Sequence, residues 1–337
     1  MTATHSRSTT YSHVPANMPN EAPFDSLPVL DDSFADIDWQ APWLTHLSQL
    51  NYLSKTVSDL SCANEKKPYV THDDWPIDII ADVLNTAFIC QYEDSQAALP
   101  STKPIQDNLA HTLTFVSQNA LPEGEAYEYF IATTGNIPTR DNLHDLFNGS
   151  IWLTFPKTKA LLNYYHMKEI EAQGIGESRG RVRDTITIFD ENGAMLVTAE
   201  PSIGNALIDF NWQESLVTPR GQWDDPRQEN IGAKAAVYIF GHALLEQLVQ
   251  PRKPLCAHSI VIHVTQDFFA LPLSARMSYL DNQVADYMDK LLSQDNVTPR
   301  QLAPLPILGV PHFWSDNEHP SFYEDRHVFR SGRRKRT

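Results

Sequence analysis

Asp141, His144 and Asn148 fall three and four residues apart, so a helix would carry them on one stripe, with Asp145 beside it. Leu143, Leu146 and Phe147 form the adjoining apolar stripe. A second set, Lys159, Asn163 and His166, repeats the pattern at spacings of four and three. Imidazoles and carboxylates in such positions transfer protons or ligate a divalent metal, while Arg and Lys hold an anionic group. Arg183 and Asp184 follow a little later, and His242 has Tyr238 and Glu246 at four-residue spacing. The site expected from these residues has His144, Asp145, Asp184 and His242 as catalytic groups. Arg140, Asn148, Lys159, Asn163, His166 and Arg183 would bind the substrate. A small anionic compound, such as a phosphate ester, is the expected ligand, and a divalent metal is the candidate cofactor. The competing expectation is a non-catalytic interaction protein in which the same polar residues form a buried hydrogen-bond network that fixes helix packing.

Each set needs an element to position it. Pro138-Thr139 reads as a helix start with Thr139 as cap, giving a helix from Arg140 to about Leu153. Phe155-Pro156 breaks it, because proline disfavours helical geometry in the residue before it yet suits the first turn of a new helix. The second helix runs from Pro156 to about Ala172, so the two polar stripes face each other across the break. Residues 183–197 read as a β-hairpin turning at Asn192-Gly193, with Asp184 on the face of Ile186 and Ile188. Ala233 to Val249 is apolar nearly all round, which marks a buried helix. His258 to Thr265 reads as a buried strand, Tyr127 to Thr133 as a short strand, and Tyr279 to Leu292 as a helix. Pro42 to Val57 and Trp75 to Cys90 have amphipathic helical spacing, and Pro304 to His319 is a proline-rich connection. Helices with a few strands and no regular βαβ alternation indicate the α+β class, as one helix-rich domain over residues 37–330. Residues 1–36 read as a disordered tail and residues 331–337 as a basic one.

Composition excludes several classes. The net charge of −16 opposes nucleic acid and anionic membranes, leaving the basic run Arg333-Arg334-Lys335-Arg336 as the only expected contact with nucleic acid. Between Thr139 and Asp184 seven Lys and Arg face six Asp and Glu, so the site region is near-neutral in an otherwise negative chain. Three scattered cysteines without CxxC spacing argue against a disulfide framework or thiolate zinc site, and a cytoplasmic location is expected. No window approaches a membrane span. Walker, GxGxxG and GxSxG motifs are missing.

The His144-Asp145 dipeptide resembles that of the metal phosphohydrolases named for it, with His111 and Asp184 in matching order. A longer pattern resembles the bacterial domain-of-unknown-function family 3025. It comprises Gly135-Asn136-Ile137-Pro138-Thr139-Arg140-Asp141-Asn142, His144-Asp145-Leu146-Phe147-Asn148, Trp152 to Lys159, Arg183-Asp184, Phe189 to Gly193, Phe240-Gly241-His242-Ala243 and Leu308-Gly309-Val310-Pro311. This resemblance spans roughly Leu44 to Arg330 and implies no fold, activity or cofactor. The chain departs from it at Leu143, where an aromatic is expected, and at Gly149-Ser150, where Ala-Leu is commoner.

Overall fold

The computed structural model describes residues 30, 32–61, 78–95, 113–173, 180–228, 230 and 232–332. Most of the expected N-terminal tail, nearly all of the C-terminal one, and His111 lie outside these residues. Residues 32–36, assigned to the tail by composition, form a 3-10 turn whose Phe34 is buried in the core.

The break at Phe155-Pro156 separates α4 (Leu143–Thr154) from α5 (Pro156–Gln173), as expected. Helix α4 starts later than the sequence suggests. Thr139 ends a strand, its hydroxyl donating to the Ile137 carbonyl, and Asn142 is the cap, its side chain accepting from the Asp145 amide at 2.8 Å. Helix α5 has Pro156 at its start and takes its N-terminal acceptor from a distant helix, α9 (Leu273–Leu292). Asp281 accepts from the Lys157 amide at 3.0 Å and the Thr158 amide at 2.9 Å. Asp141 does the same for α2 (Ile79–Ser95), accepting from the Ile80 amide at 2.8 Å. That contact removes Asp141 from the polar stripe of α4.

The expected hairpin at 183–197 is instead helix α6 (Arg181–Asn192) running into strand β3 (Gly193–Thr198). Thr185, Ile186 and Phe189 are its buried residues, a helical spacing that the alternating Ile-Thr-Ile-Phe run also satisfies. Gly193 has φ −76°, so no type I′ turn exists there. Strand β3 has both edges occupied by other strands. It pairs antiparallel with β4 (Ala235–Ile239) and parallel with β5 (Cys256–His263), and β5 pairs antiparallel with β6 (Ala303–Pro306). The sheet order is β4-β3-β5-β6. Met195, Leu196 and Val197 are fully buried, each contributing about 1.5–3 kcal/mol of burial.

The buried helix expected at Ala233 to Val249 divides into β4 and the short helix α8 (His242–Gln247). An apolar run buried on every side has no phase that distinguishes strand from helix, and Phe240-Gly241 is the corner between the two. A Cβ at Gly241 would lie 2.5 Å from the Glu191 carbonyl oxygen and the Gly193 nitrogen, so only glycine lets the end of α6 and the start of α8 touch. Tyr127 to Thr133 is likewise helical, as α3 (Tyr127–Thr134), closed by Gly135 in the left-handed region at φ 73°. A two-stranded parallel sheet follows, pairing β1 (Thr114–Ser117) with β2 (Asn136–Thr139). The remaining α-helices among the described residues are α1 (Asn51–Ser61) and α7 (Pro201–Ile208). The class is α+β, as read from the sequence. Among the described residues no helix is long and apolar enough to cross a membrane.

Candidate functional site

Three buried aromatics set the geometry of the site. Phe240 stacks on Phe189 at 4.9 Å between ring centroids and lies 5.7 Å from Phe155. Phe189 precedes Asp190, and Phe240-Gly241 precedes His242. Packing of the rings therefore brings Asp190, at the end of α6, against His242, at the start of α8. Helix α4 lies against α8 and presents His144.

The result is a chain of polar contacts. His144 Nδ1 lies 2.9 Å from Glu246 Oε2, and its Nε2 lies 3.0 Å from His242 Nε2. On the inner side, His242 Nδ1 is 3.8 Å from Asp190 Oδ2, beyond hydrogen-bond range, and is buried without a partner. Asp190 accepts from Lys159 Nζ at 2.6 Å, and the same ammonium donates to Asn148 Oδ1 at 2.9 Å. Asn148 Nδ2 donates to the Tyr127 hydroxyl at 3.1 Å. The stripes of α4 and α5 thus meet at Asn148 and Lys159, as their spacing implied.

Burial, opposed by Asp190 and reinforced by Lys159, lowers the His242 pKa to about 4, so the ring is neutral at pH 7. Of the two Nε2 atoms in contact, one carries the proton that the other accepts. Burial alone would raise the Asp190 carboxyl, but the charges of Lys159 and His242 with the Lys159 hydrogen bond hold it below the usual range. The Tyr127 phenol is pushed up by burial and by the Asp145 charge. His166 is lowered, mainly by burial, and stands in the field of Glu128, Asp190, Arg183 and Lys159.

Asp145 turns away from His144. Its carboxylate takes the Arg140 amide at 2.7 Å and the Arg140 guanidinium at 2.9 and 3.0 Å, and that hydrogen-bonded pair raises the Arg140 pKa. Both oxygens are committed to Arg140, which leaves Asp145 no part in a metal site beside His144. Asp184 belongs to α6, about 100° around the helix from Arg183, and makes no side-chain hydrogen bond or ion pair among the described residues. Arg183 and Asp190 share a face seven residues apart. Asn163 is buried one turn from Lys159 and forms no side-chain hydrogen bond among the described residues. Arg183 Nε and His166 Nδ1 are buried without partners. No group of three or more His, Cys, Asp or Glu placed to hold a metal ion occurs among the described residues.

Three residues of this seam were missed as site residues. Asp190 was hidden by the hairpin reading, Tyr127 by the strand reading, and Glu246 was paired with His242 instead of His144. The four-residue spacing of Arg183, Thr187 and Glu191, with Asp190 one position earlier, would have been the signal for a helix.

No curated protein and no solved structure matches the chain. The family match begins at residue 113, later than the resemblance at Leu44 suggested, and contains every residue of the seam from Tyr127 to Glu246. The model of the family described as Protein of unknown function (DUF3025) covers residues 113–333, more than half of the chain, and the chain belongs to that family.

Proposed function

We propose that the His144–His242 pair is the acid–base centre of a site that binds or hydrolyses a small anionic compound. The observation that carries this reading is the pair itself: two imidazoles in Nε2-to-Nε2 contact at 3.0 Å, strung between Glu246 and Asp190. The outer members are accessible, with 37% of the His144 side chain and 41% of Glu246 exposed. At that edge His144 and Glu246 can exchange a proton with a bound ligand. On α6, the helix that carries Asp190, Arg183 Nε is a buried donor lacking an acceptor among the described residues, a deficit that a phosphate or carboxylate oxygen would relieve. Metal assistance has less support. The two Nε2 atoms converge, but catalytic zinc takes three protein ligands.

Thermal-shift titration with inorganic phosphate and p-nitrophenyl phosphate, with and without Mg²⁺, Mn²⁺ or Zn²⁺, tests the reading, together with release of nitrophenol. Stabilisation by phosphate that disappears in His144→Ala is expected. No stabilisation, no turnover and no change in the variant would sink it.

A second reading, a structural network, has its own observation in favour. Both His144 nitrogens have partners, and Arg140 with Asp145, and Lys159 with Asn148 and Asp190, satisfy one another. On this reading His144→Ala loses about 1–3 kcal/mol of stability by leaving a buried partner unpaired, with no ligand effect to lose.

A further inference from the structure

Helices α5 and α6 are consecutive in the chain, pack against each other and are joined by the 2.6 Å contact of Lys159 Nζ with Asp190 Oδ1. That contact sets the start of α5 against the end of α6, so the two helices run antiparallel. Seven residues on from Lys159 is His166, and seven back from Asp190 is Arg183, about 10 Å along each helix. His166 therefore stands opposite Arg183, with Asn163 on the turn between. Helix α3 packs against α5 as well, and its Glu128 exerts the largest charge effect on His166, ahead of Asp190, Arg183 and Lys159.

The polar groups around His166 lack partners. Arg183, Asn163 and Glu128 form no side-chain hydrogen bond or ion pair among the described residues. Elsewhere Arg140, Arg227 and Arg276 each meet a carboxylate within 3.3 Å. Of the Arg183 guanidinium only Nε is closed off. Its Nη1 and Nη2, like both polar atoms of the Asn163 amide, are open and equally unpartnered. A half-buried guanidinium with no acceptor, beside an amide that is 8% exposed with all its hydrogen-bonding capacity unused, is costly unless a ligand supplies the partners.

The charges decide what kind of ligand fits. Glu128 and Arg183 act on the same imidazole but do not pair with each other. A bare anion on Arg183 would meet the repulsion of Glu128 and Asp190, and a bare cation on Glu128 that of Arg183 and Lys159. A molecule bearing both charges satisfies both unpaired groups at once.

We propose that the face formed by α3, α5 and α6 around His166 binds a small zwitterion, its carboxylate on Arg183 and Asn163 and its ammonium on Glu128. The ammonium goes beyond the acid–base reading, which needs only an anion at Arg183, and binding requires no turnover. Calorimetric titration of the full chain with glycine, β-alanine and 4-aminobutyrate, which span three charge separations, tests the proposal against butyrate and butylamine, which each lack one charge. At least one amino acid is expected to bind about tenfold or more tightly than either analogue, the gain of one further charge-assisted contact. Glu128→Gln should bring it down to the affinity of butyrate, and Arg183→Gln to that of butylamine. Neither charge has a partner in the fold, so both variants should keep the wild-type urea midpoint. Binding of none of the three amino acids, analogues that bind as tightly, binding that survives both substitutions, or a midpoint that falls in both variants overturns the proposal. Stabilisation by phosphate without amino-acid binding overturns it alone and leaves the acid–base centre standing, whereas amino-acid binding without any effect of phosphate upholds it against that centre.

Discussion

The seam around His144 and the face around His166 adjoin at the Lys159–Asp190 pair, from which α5 and α6 run on to His166 and Arg183. They treat polar atoms in opposite ways. In the seam, charge meets charge, and His144, Glu246, Asn148, Lys159 and Asp190 all have partners from another element. Around His166, Arg183, Asn163 and Glu128 form no side-chain hydrogen bond or ion pair among the described residues. A self-satisfied cluster gains little from a ligand unless the ligand replaces contacts already made. Unmatched charges gain from the first ligand that fits between them. Chemical residue types in the sequence led to both regions, but only the fold separates the satisfied one from the unsatisfied one.

Acid should strain the seam and the core together. His242 in the seam and His46, 2% exposed in the core, each fall from an ordinary 6.5 to about 4 on folding. Between those values the unfolded chain binds more protons than the folded one. Stability is then complete above about pH 6.5 and declines as pH falls toward 4, by on the order of 3 kcal/mol per histidine. Urea midpoints measured from pH 7.5 to 4 should show this slope, with His242→Gln and His46→Gln each removing about half of it. A flat profile in the wild type would show that neither ring is buried in the neutral form.

The next largest effect is confined to the seam. Lys159→Met leaves Asp190 without its cation and should cost about 3 kcal/mol or more, whereas the double variant with Asp190→Leu should recover much of that loss. Equilibrium unfolding of the two variants distinguishes a paired charge from a solvated one. The smallest effect is Asn142→Ala, which removes the cap of the helix bearing His144 and should cost about 1 kcal/mol. Its effect on amino-acid affinity, measured in the same samples, should be nil if the two regions are independent.

Much of the seam was readable because α4 and α5 have clear punctuation and phase. Pro156 sets the break, and Asn148 and Lys159 meet where spacing placed them. Residues 233–249 are buried on almost every side, so their apolar pattern carries no period, whereas the Thr-Ile alternation at 185–188 fits a strand and equally a helix with Thr185, Ile186 and Phe189 inward; part of each segment was exchanged between helix and strand. Asp190 and Glu246 fell in those segments, and their roles went with them. Glu128 had no signal at all. A single glutamate in a segment read as a strand becomes notable only when the fold packs its helix against α5 and leaves it unpaired.

Asp281 carries a last consequence, one of timing. The first turn of α5, which holds Lys159 and leads to His166, finds its acceptor 123 and 124 residues further along the chain. His144 likewise meets His242 across 98 residues. Contacts of such separation close late in folding, after the local helices have formed. A nascent chain would display the two polar stripes long before anything fixed them in register, and the cluster would take shape among the last events rather than the first.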